Sequence, residues 1–362
     1  MQATLLGALL PELSKTFTPG QSGTLASVQS LGLMMASLVT GPVLDRAGRK
    51  TGALTGLGLI MLAVTLLGRV HEYLPLVIVM TLMGLGGGVI STTTNTLASD
   101  LGGNRQASMM NLLNVFFGLG GLTTPALAAF LETRLLCGLI AALALATMAL
   151  HASVRPGRRQ ERIARAATDW RTLALRPLFP LLCLFLFLYV SAELGVWNWL
   201  AAYLTGRGVP KATALRTLSF GFAAGIITGR LAASRLLLRF HPSAVTMGCS
   251  AAMLATTTLM LLASGTFTAG LAVFCAGIAM APVYPTTLAL VSAAFPEGTA
   301  TAIGIAVTVG WIGVAVSSKL IGVIAGSDPA RLGTALLVIP GCAAAMLVLS
   351  FGIRRLTAAR RD

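Results

Sequence analysis

The sequence predicts an all-α membrane protein, built as two six-helix bundles around a central cavity with the first helix truncated. Three observations carry this prediction: a very apolar composition, a series of apolar runs long enough to cross a bilayer, and an internal repeat. Together they divide the chain into an N-terminal bundle at residues 1–152, a basic linker at 153–176 and a C-terminal bundle at 177–362.

The composition indicates that lipid is the solvent. Of the 362 residues, 56% are hydrophobic and only 10% are charged, whereas soluble domains carry about 25% charged residues. The net charge of +15 lies in short gaps between apolar runs rather than on one basic module, so we expect no nucleic-acid partner. The five cysteines lie inside apolar runs and are not at metal-ligand spacing. No catalytic, metal or phosphate-binding motif occurs, so the sequence predicts neither an enzyme nor a cofactor.

Eleven apolar runs approach the roughly 20 residues that a membrane-spanning helix needs. Their ranges are 23–44, 51–69, 74–98, 107–131, 133–152, 177–204, 213–238, 243–264, 268–293, 299–325 and 331–353. Residues 3–13 form a further apolar run, which as a helix would reach only about 17 Å of the roughly 30 Å core. A signal peptide is the alternative, but no Lys or Arg precedes this run. We therefore interpret it as the second half of a first helix.

The basic residues predict the orientation. Loops on the cytoplasmic side of a membrane are enriched in Lys and Arg, and the linker 153–176 alone carries seven Arg. Its side is therefore predicted to be cytoplasmic, and both termini lie there too if the first helix is complete. We expect a multi-pass, monomeric protein of a bacterial inner membrane.

Short sequence matches between the halves indicate a duplicated unit. At a spacing of 193, the segment from Gly84 to Ala98 matches that from Gly277 to Val291 in four residues. At 192, two glycines of run 107–131 match two of run 299–325, and at 184, Gly41 and Arg46 match Gly225 and Arg230. Transporters built from such repeats bind their solute between the halves, near the bilayer midplane.

Residues 41–50 read Gly-Pro-Val-Leu-Asp-Arg-Ala-Gly-Arg-Lys, in the predicted cytoplasmic loop after run 23–44. This segment strongly resembles the loop signature of the major facilitator superfamily, G-x-x-x-D-R-x-G-R-[RK]. The resemblance implies two bundles that alternate access to a central site, with this loop as a latch that holds the outward-open state. A plain positively charged loop is the structural alternative.

The residue types of the loop have physical reasons. Gly41 permits close helix approach, and Gly48 permits a tight turn. Asp45 can accept hydrogen bonds from Arg side chains or from a helix N-terminus in the opposite half, while Arg49 and Lys50 are expected to anchor the loop at the inner surface. The predicted gating residues are Gly41, Asp45, Arg46, Gly48, Arg49 and Arg230.

A narrower resemblance concerns Tyr189 to Leu204, which read YVSAELGVWNWLAAYL. This segment, the run from Leu112 to Pro125 and the Tyr284-Pro285-Thr286 step look similar to fucose permease-like sugar–proton symporters. Ser91 stands where that group has a Glu four residues before an Asn, which is Asn95 here. Glu193 is therefore the remaining acidic residue at depth.

Glu193 is the central candidate, because an ionisable residue inside a membrane helix is costly and usually functional. Tyr189 and Trp197 share its helix face, so its carboxylate and two aromatic rings suit a sugar, and the carboxylate can also carry a proton. A structural hydrogen bond between helices is the alternative. The predicted substrate-binding residues are Glu193, Trp197, Tyr189, Asn95, Asn114, Tyr284 and Trp311, with Glu193 also the proton-coupling residue.

The sequence thus predicts a secondary transporter of a small polar solute, most simply a sugar, with proton co-transport as a possibility. Two alternatives stay open at this stage. One is a drug or metabolite exporter that works by proton antiport, and the other is a membrane sensor that no longer transports. The predicted partners are the solute, the proton and the lipid bilayer.

Overall fold

The structure is a computed structural model that describes Leu5 and residues 19–70, 72–128, 131–153, 173–263, 265–325 and 331–358. Nearly all of this described chain is helical, and no strand occurs within it. The first six helices are α1 (Pro19–Ala47), α2 (Arg49–Leu67), α3 (Tyr73–Gly102), α4 (Gln106–Ala128), α5 (Thr133–Ser153) and α6 (Leu178–Gly206). The next five are α7 (Lys211–Arg216, Thr217–Ala223 and Ala224–Leu236), α8 (Pro242–Leu262), α9 (Thr266–Met280 and Val283–Ala294), α10 (Thr299–Ala325) and α11 (Leu332–Ala335 and Val338–Ala358).

Each of the eleven predicted runs corresponds to one of these helices, with ends that differ by a few residues. Eight stretches of the described chain are long and apolar enough to cross a membrane, and one of them, Tyr73–Thr124, includes two successive helices. Large apolar side chains are freely exposed, for example Phe267 at 81% and Val348 at 71%, as expected where lipid covers the surface. The predicted half-helix 3–13, apart from Leu5, and most of the linker 153–176 lie outside the described residues.

Two helices of the C-terminal half are irregular, which apolar periodicity did not predict. Helix α9 is interrupted between Met280 and Val283, where Pro282 and Pro285 cannot donate backbone hydrogen bonds to the preceding turn. In α7, Thr217–Ala223 is a π-helical segment. Such segments occur often at functional sites.

The chain divides into two compact units that each include a piece of the opposite sequence half. The first unit comprises Met1–Asp100, Leu119–Trp170 and Phe295–Thr308, and the second comprises Leu101–Gly118, Arg171–Ala294 and Val309–Asp362. This division follows contacts rather than chain order. The sequence boundaries 1–152, 153–176 and 177–362 therefore stay a prediction.

Glycine contacts inside each unit reveal the repeat in three dimensions. In the first unit, an added Cβ at Gly84 would lie 2.0 Å from the Gln29 carbonyl oxygen. In the second unit, an added Cβ at Gly277 would lie 2.5 Å from the Phe222 carbonyl oxygen. Gly277 and Phe222 lie 193 positions after Gly84 and Gln29, respectively.

A second pair of contacts obeys the same spacing. Gly32 lies against the Thr81 carbonyl, and Gly225 lies against the Phe274 carbonyl. Close helix contacts through glycine therefore repeat at 193, so that α1 with α3 corresponds to α7 with α9. The match at spacing 184, which paired Arg46 with Arg230, is wrong as a structural alignment, because Gly225 is the counterpart of Gly32 rather than of Gly41.

Candidate functional site

Asp45 lies in the last turn of α1 and contacts the first turn of α10, within the first unit. Its carboxylate accepts hydrogen bonds from the Thr301 backbone N–H at 3.0 Å and from the Thr301 hydroxyl at 2.7 Å. The side chain is 1% exposed. A helix N-terminus carries partial positive charge and unpaired N–H groups, so it stabilises this buried carboxylate. The helix N-terminus was one of the two partners expected from the sequence.

Gly41 explains why α1 can come so close to α10. A Cβ added there would lie 2.6 Å from the carbonyl oxygen of Ala300, which is closer than a side chain can approach a backbone. Gly48, at the turn that follows, has φ 84°, a conformation that favours glycine. Both glycines thus have the structural reasons that the sequence suggested.

Arg49 is buried inside the first unit, so its expected place at the inner surface is wrong. The side chain is 4% exposed and its Nε donates to Asp100 at 2.9 Å. Its Nη1 donates to the Leu44 carbonyl at 2.8 Å and approaches Asp45 at 3.4 Å. The guanidinium thereby joins two carboxylates on different helices, which costs less than burying any of the three charges alone.

The remaining basic residues of the loop differ from each other. Lys50 donates from Nζ to the Ala152 carbonyl at 2.7 Å, in the last turn of α5, where a cation suits the helix C-terminus. This contact is exposed and joins the loop to the end of α5, so it is compatible with the expected anchoring role, which stays a prediction. Arg46 is exposed in the last turn of α1.

Glu193 lies near the middle of α6, inside the second unit, and is 9% exposed. Tyr189 and Trp197 lie four residues before and after it on the same helix face, and Arg230 of α7 is the buried cation of the same unit. The two aromatic residues were expected from their spacing of four. No direct ion pair within 4.0 Å joins Glu193 to Arg230 in this described region, so the two charges interact across a gap.

Arg230 is held by backbone carbonyls of two other helices and is 3% exposed. Its Nη1 donates to the Asn114 carbonyl of α4 at 2.7 Å, and its Nε points to the Ala281 carbonyl of α9 at 3.4 Å. The Ala281 carbonyl is available because the residue four positions later is Pro285, which has no N–H. The guanidinium carbon also lies 5.8 Å from the Phe117 ring centroid, within range of a cation–π contact.

Aromatic rings surround the Glu193 side chain. The rings of Tyr189 and Tyr284 have centroids 6.4 Å apart, and Trp197 meets Phe222 edge to face at 5.1 Å. Phe222 belongs to the π-helical segment of α7, so that irregular turn supports the aromatic wall. The Tyr189 hydroxyl is buried without a hydrogen-bond partner.

The other predicted substrate residues are placed differently. Asn114 contributes its backbone carbonyl to Arg230, while its side chain donates to the Met110 carbonyl at 2.8 Å. Asn95 belongs to the first unit, where it donates to the Ser91 carbonyl at 2.8 Å. Trp311 belongs to the second unit and is half-buried in α10.

Sequence reasoning missed two partners that the structure supplies. Asp100 pairs with Arg49, and Arg230 interacts with Glu193. Charge complementarity could have indicated both pairs, since buried ionisable residues in membrane helices usually have partners. Among the described residues, no group of three or more His, Cys, Asp or Glu side chains is placed to hold a metal ion.

Comparison with known proteins decides the family. The sequence model of the Major Facilitator Superfamily matches residues 1–318. The chain belongs to the major facilitator superfamily. The family expected from residues 41–50 is thereby confirmed, and the loop around Asp45 and the site around Glu193 are parts of a major facilitator transporter. No curated protein matches the sequence.

Solved structures of this superfamily share the fold. A crystal structure of the Escherichia coli fucose:proton symporter has a TM-score of 0.83 at 19% identity, over 97% of this chain and 95% of that one. The same symporter in its outward conformation has a TM-score of 0.79 over 97% of both chains, again at 19% identity. The proton:xylose symporter bound to 6-bromo-6-deoxy-D-glucose has a TM-score of 0.80 at 13% identity, over 97% and 92%. These likenesses confirm the major facilitator fold.

Proposed function

We propose that this transporter is a secondary active carrier that moves a small polar solute of the sugar class across a bacterial inner membrane, coupled to protons through Glu193. The observation that carries the proposal is that Glu193 and Arg230 are the buried charged side chains among the described residues of the second unit, and that the Tyr189 and Trp197 rings on the Glu193 helix are part of a group of aromatic contacts. A buried carboxylate can accept hydrogen bonds from sugar hydroxyls, a guanidinium can donate to them, and aromatic rings can stack on the apolar face of the sugar.

The charge pair supports a functional site rather than a packing interaction. Two buried ionisable groups cost free energy that an apolar pair of similar volume would not. Here they are not even in direct contact, so the coulombic compensation is incomplete. Such an arrangement suits groups that exchange partners during a reaction cycle.

The structural neighbours support the same solute class. They are described as fucose:proton and proton:xylose symporters, and all share with this chain a fold that alternates access by rocking its repeats.

The latch is the second element of the proposal. We propose that the contact of Asp45 with Thr301 closes the predicted cytoplasmic ends of α1 and α10, and that it must break for the solute to leave inward.

Purified protein in proteoliposomes tests this function. A panel of radiolabelled sugars, sugar acids and polyols would be offered with and without a pH gradient that is acidic outside. We expect saturable accumulation of at least one of these solutes, stimulated by the gradient and absent from protein-free liposomes. Failure of the whole panel to show saturable uptake or counterflow would contradict the proposed function.

A further inference from the structure

The charge balance around Arg230 constrains the solute that Glu193 can carry. An arginine side chain cannot be deprotonated in proteins, so Arg230 is a permanent cation buried in the second unit. Among the described residues of the second unit, Arg230 and Glu193 are the charged side chains that are buried, at 3% and 9% exposure, so Glu193 is the carboxylate that balances Arg230. The other titratable side chains of this cluster are Tyr189 and, beyond it, Cys249, and neither supplies a second anion as long as it keeps its proton.

Helices packed against α6 do not alter this balance at the level of Glu193. They include α7, α9, α10 and α11. Apart from Lys319 of α10, their further charged residues among the described side chains are exposed: Arg216 and Arg235 on α7, and Arg354 and Arg355 on α11. The side chain of Lys319 on α10 is not described.

Protonation of Glu193 therefore has a consequence. When the carboxylate takes up a proton it becomes neutral, and Arg230 remains as an uncompensated buried cation. The carbonyls of Asn114 and Ala281 accept hydrogen bonds from the guanidinium and orient it, but they carry no net charge that could balance it. An unpaired charge in this environment is strongly unfavourable, so a neutral sugar bound together with one proton would leave the site with an excess positive charge.

We propose that the solute carried at Glu193 and Arg230 is a monoanion, a sugar that bears a carboxylate, and that it crosses together with one proton. This inference rests on the proposed function and names its solute class. The solute carboxylate replaces Glu193 as the counter-ion of Arg230, to which a guanidinium donates well. The solute hydroxyls meet Tyr189, Trp197 and the protonated Glu193.

The cycle conserves charge at every step. In the empty site, the Glu193 carboxylate balances Arg230. On the outer side, one proton moves to Glu193 and one acid anion binds to Arg230, so the net charge of the site is unchanged. On the inner side, the acid anion and the proton leave, and Glu193 balances Arg230 again. Each cycle thus moves one negative and one positive charge in the same direction, which makes transport electroneutral.

Matched solutes in proteoliposomes of the full-length chain test the inference. The probes are D-gluconate and D-galacturonate with their neutral parents D-glucose and D-galactose. Each would be offered under a pH gradient, acidic outside, or under a potassium diffusion potential, negative inside. We expect at least about tenfold preference for an acid, because a charged group left without its partner discriminates strongly. Accumulation should follow the pH gradient and be unchanged by the potential.

Three other outcomes would overturn the inference in distinguishable ways. Preference for a neutral parent, with or without proton coupling, overturns the inference and leaves the proposed sugar transport intact. Acid uptake that increases with the potential overturns the stoichiometry of one proton for each anion. Absence of uptake of all four probes, and of the wider sugar panel, defeats both the inference and the proposed function.

Variants locate the effect at Arg230. Arg230→Gln should lose the acid preference at least about tenfold, while Arg235→Gln, an exposed Arg on the same helix, is the matched control and should keep it. The double variant Glu193→Gln/Arg230→Gln removes both buried charges, so it should fold even if the single variant does not. An acid preference that survives in the folded double variant would contradict the assignment.

Discussion

The two units share helix contacts but place their charges differently. In the first unit, Gly41 of α1 packs on Ala300 and Thr301 of α10. In the second unit, Ser108 of α4 donates its hydroxyl to the Ser234 carbonyl of α7. Ser234 lies 193 positions after Gly41, and Thr301 lies 193 positions after Ser108. The two contacts therefore join equivalent positions of the repeat. At this spacing Leu238 is the equivalent of Asp45, and Pro242 is the equivalent of Arg49. Within the described residues, the charged group proposed as a latch therefore has no charged counterpart at these two positions of the second unit.

Near the middle of the helices, it is the second unit that carries the charged residue. The residue 193 positions after Ser37 is Arg230, so a hydroxyl in the first unit corresponds to a guanidinium in the second. The Ser37 hydroxyl is buried without a hydrogen-bond partner, whereas Arg230 has two carbonyls and interacts with Glu193. One duplicated scaffold thus carries buried charges at a helix end in one unit, the proposed latch, and near the middle of the helices in the other, the proposed solute site.

The largest expected effect concerns the scaffold that both units share. Gly84→Leu would force a side chain into the Gln29 carbonyl, since even a Cβ would lie 2.0 Å from it. We expect a loss of more than about 3 kcal/mol in unfolding free energy, seen as little monodisperse protein in size-exclusion chromatography. Gly58→Leu is the control, because an added Cβ there meets nothing within 4 Å. Equal yields of both variants would contradict the glycine contact.

The next prediction separates the deep sites of the two units. Glu193→Gln leaves Arg230 with a charge that it cannot lose, and we expect a loss of about 1–3 kcal/mol, below the range for contacting pairs. Adding Arg230→Gln should restore part of this loss in thermal unfolding. Ser37→Ala, at the equivalent position of the first unit, should change stability by less than about 1 kcal/mol. No restoration in the double variant would mean that the two charges are not coupled.

The latch prediction concerns conformation more than folding. Asp45→Asn keeps the size of the side chain but removes its charge, which should weaken the contact with Thr301 by about 1–3 kcal/mol. The equilibrium should shift toward the inward-open state, with slower turnover, as measured by labelling of introduced cysteines and by counterflow. Leu238→Asn, at the equivalent position of the second unit, serves as the control. Wild-type labelling and turnover in Asp45→Asn would contradict the latch.

Lys50 should give the smallest effect. Its exposed contact caps the end of α5 at Ala152, and a cation at a helix C-terminus contributes about 0.3–1 kcal/mol. Lys50→Met should therefore lower the melting temperature slightly and leave transport unchanged. A transport defect as large as that of Asp45→Asn would show that Lys50 belongs to the latch.

The sequence predicted the helices and the loop well, because apolar length and a ten-residue signature are local properties. It placed Arg49 at the surface, since a loop pattern does not show that Asp100 lies beside it. It paired Arg230 with Arg46, because short matches do not fix a repeat spacing. Pro285 leaves the Ala281 carbonyl without its usual N–H partner, but that this carbonyl lies beside Arg230 depends on helix packing.

Glu193→Gln in two transport assays tests the central claim most directly. The substitution mimics the protonated carboxylate, so it should abolish accumulation driven by a pH gradient while counterflow exchange of the same solute continues. Glu72→Gln, an exposed carboxylate, is the control for the loss of one acid. Loss of both assays in the folded variant would reduce Glu193 to solute binding alone. Wild-type accumulation under the gradient would contradict the account, because Glu193 is the residue through which it couples the proton.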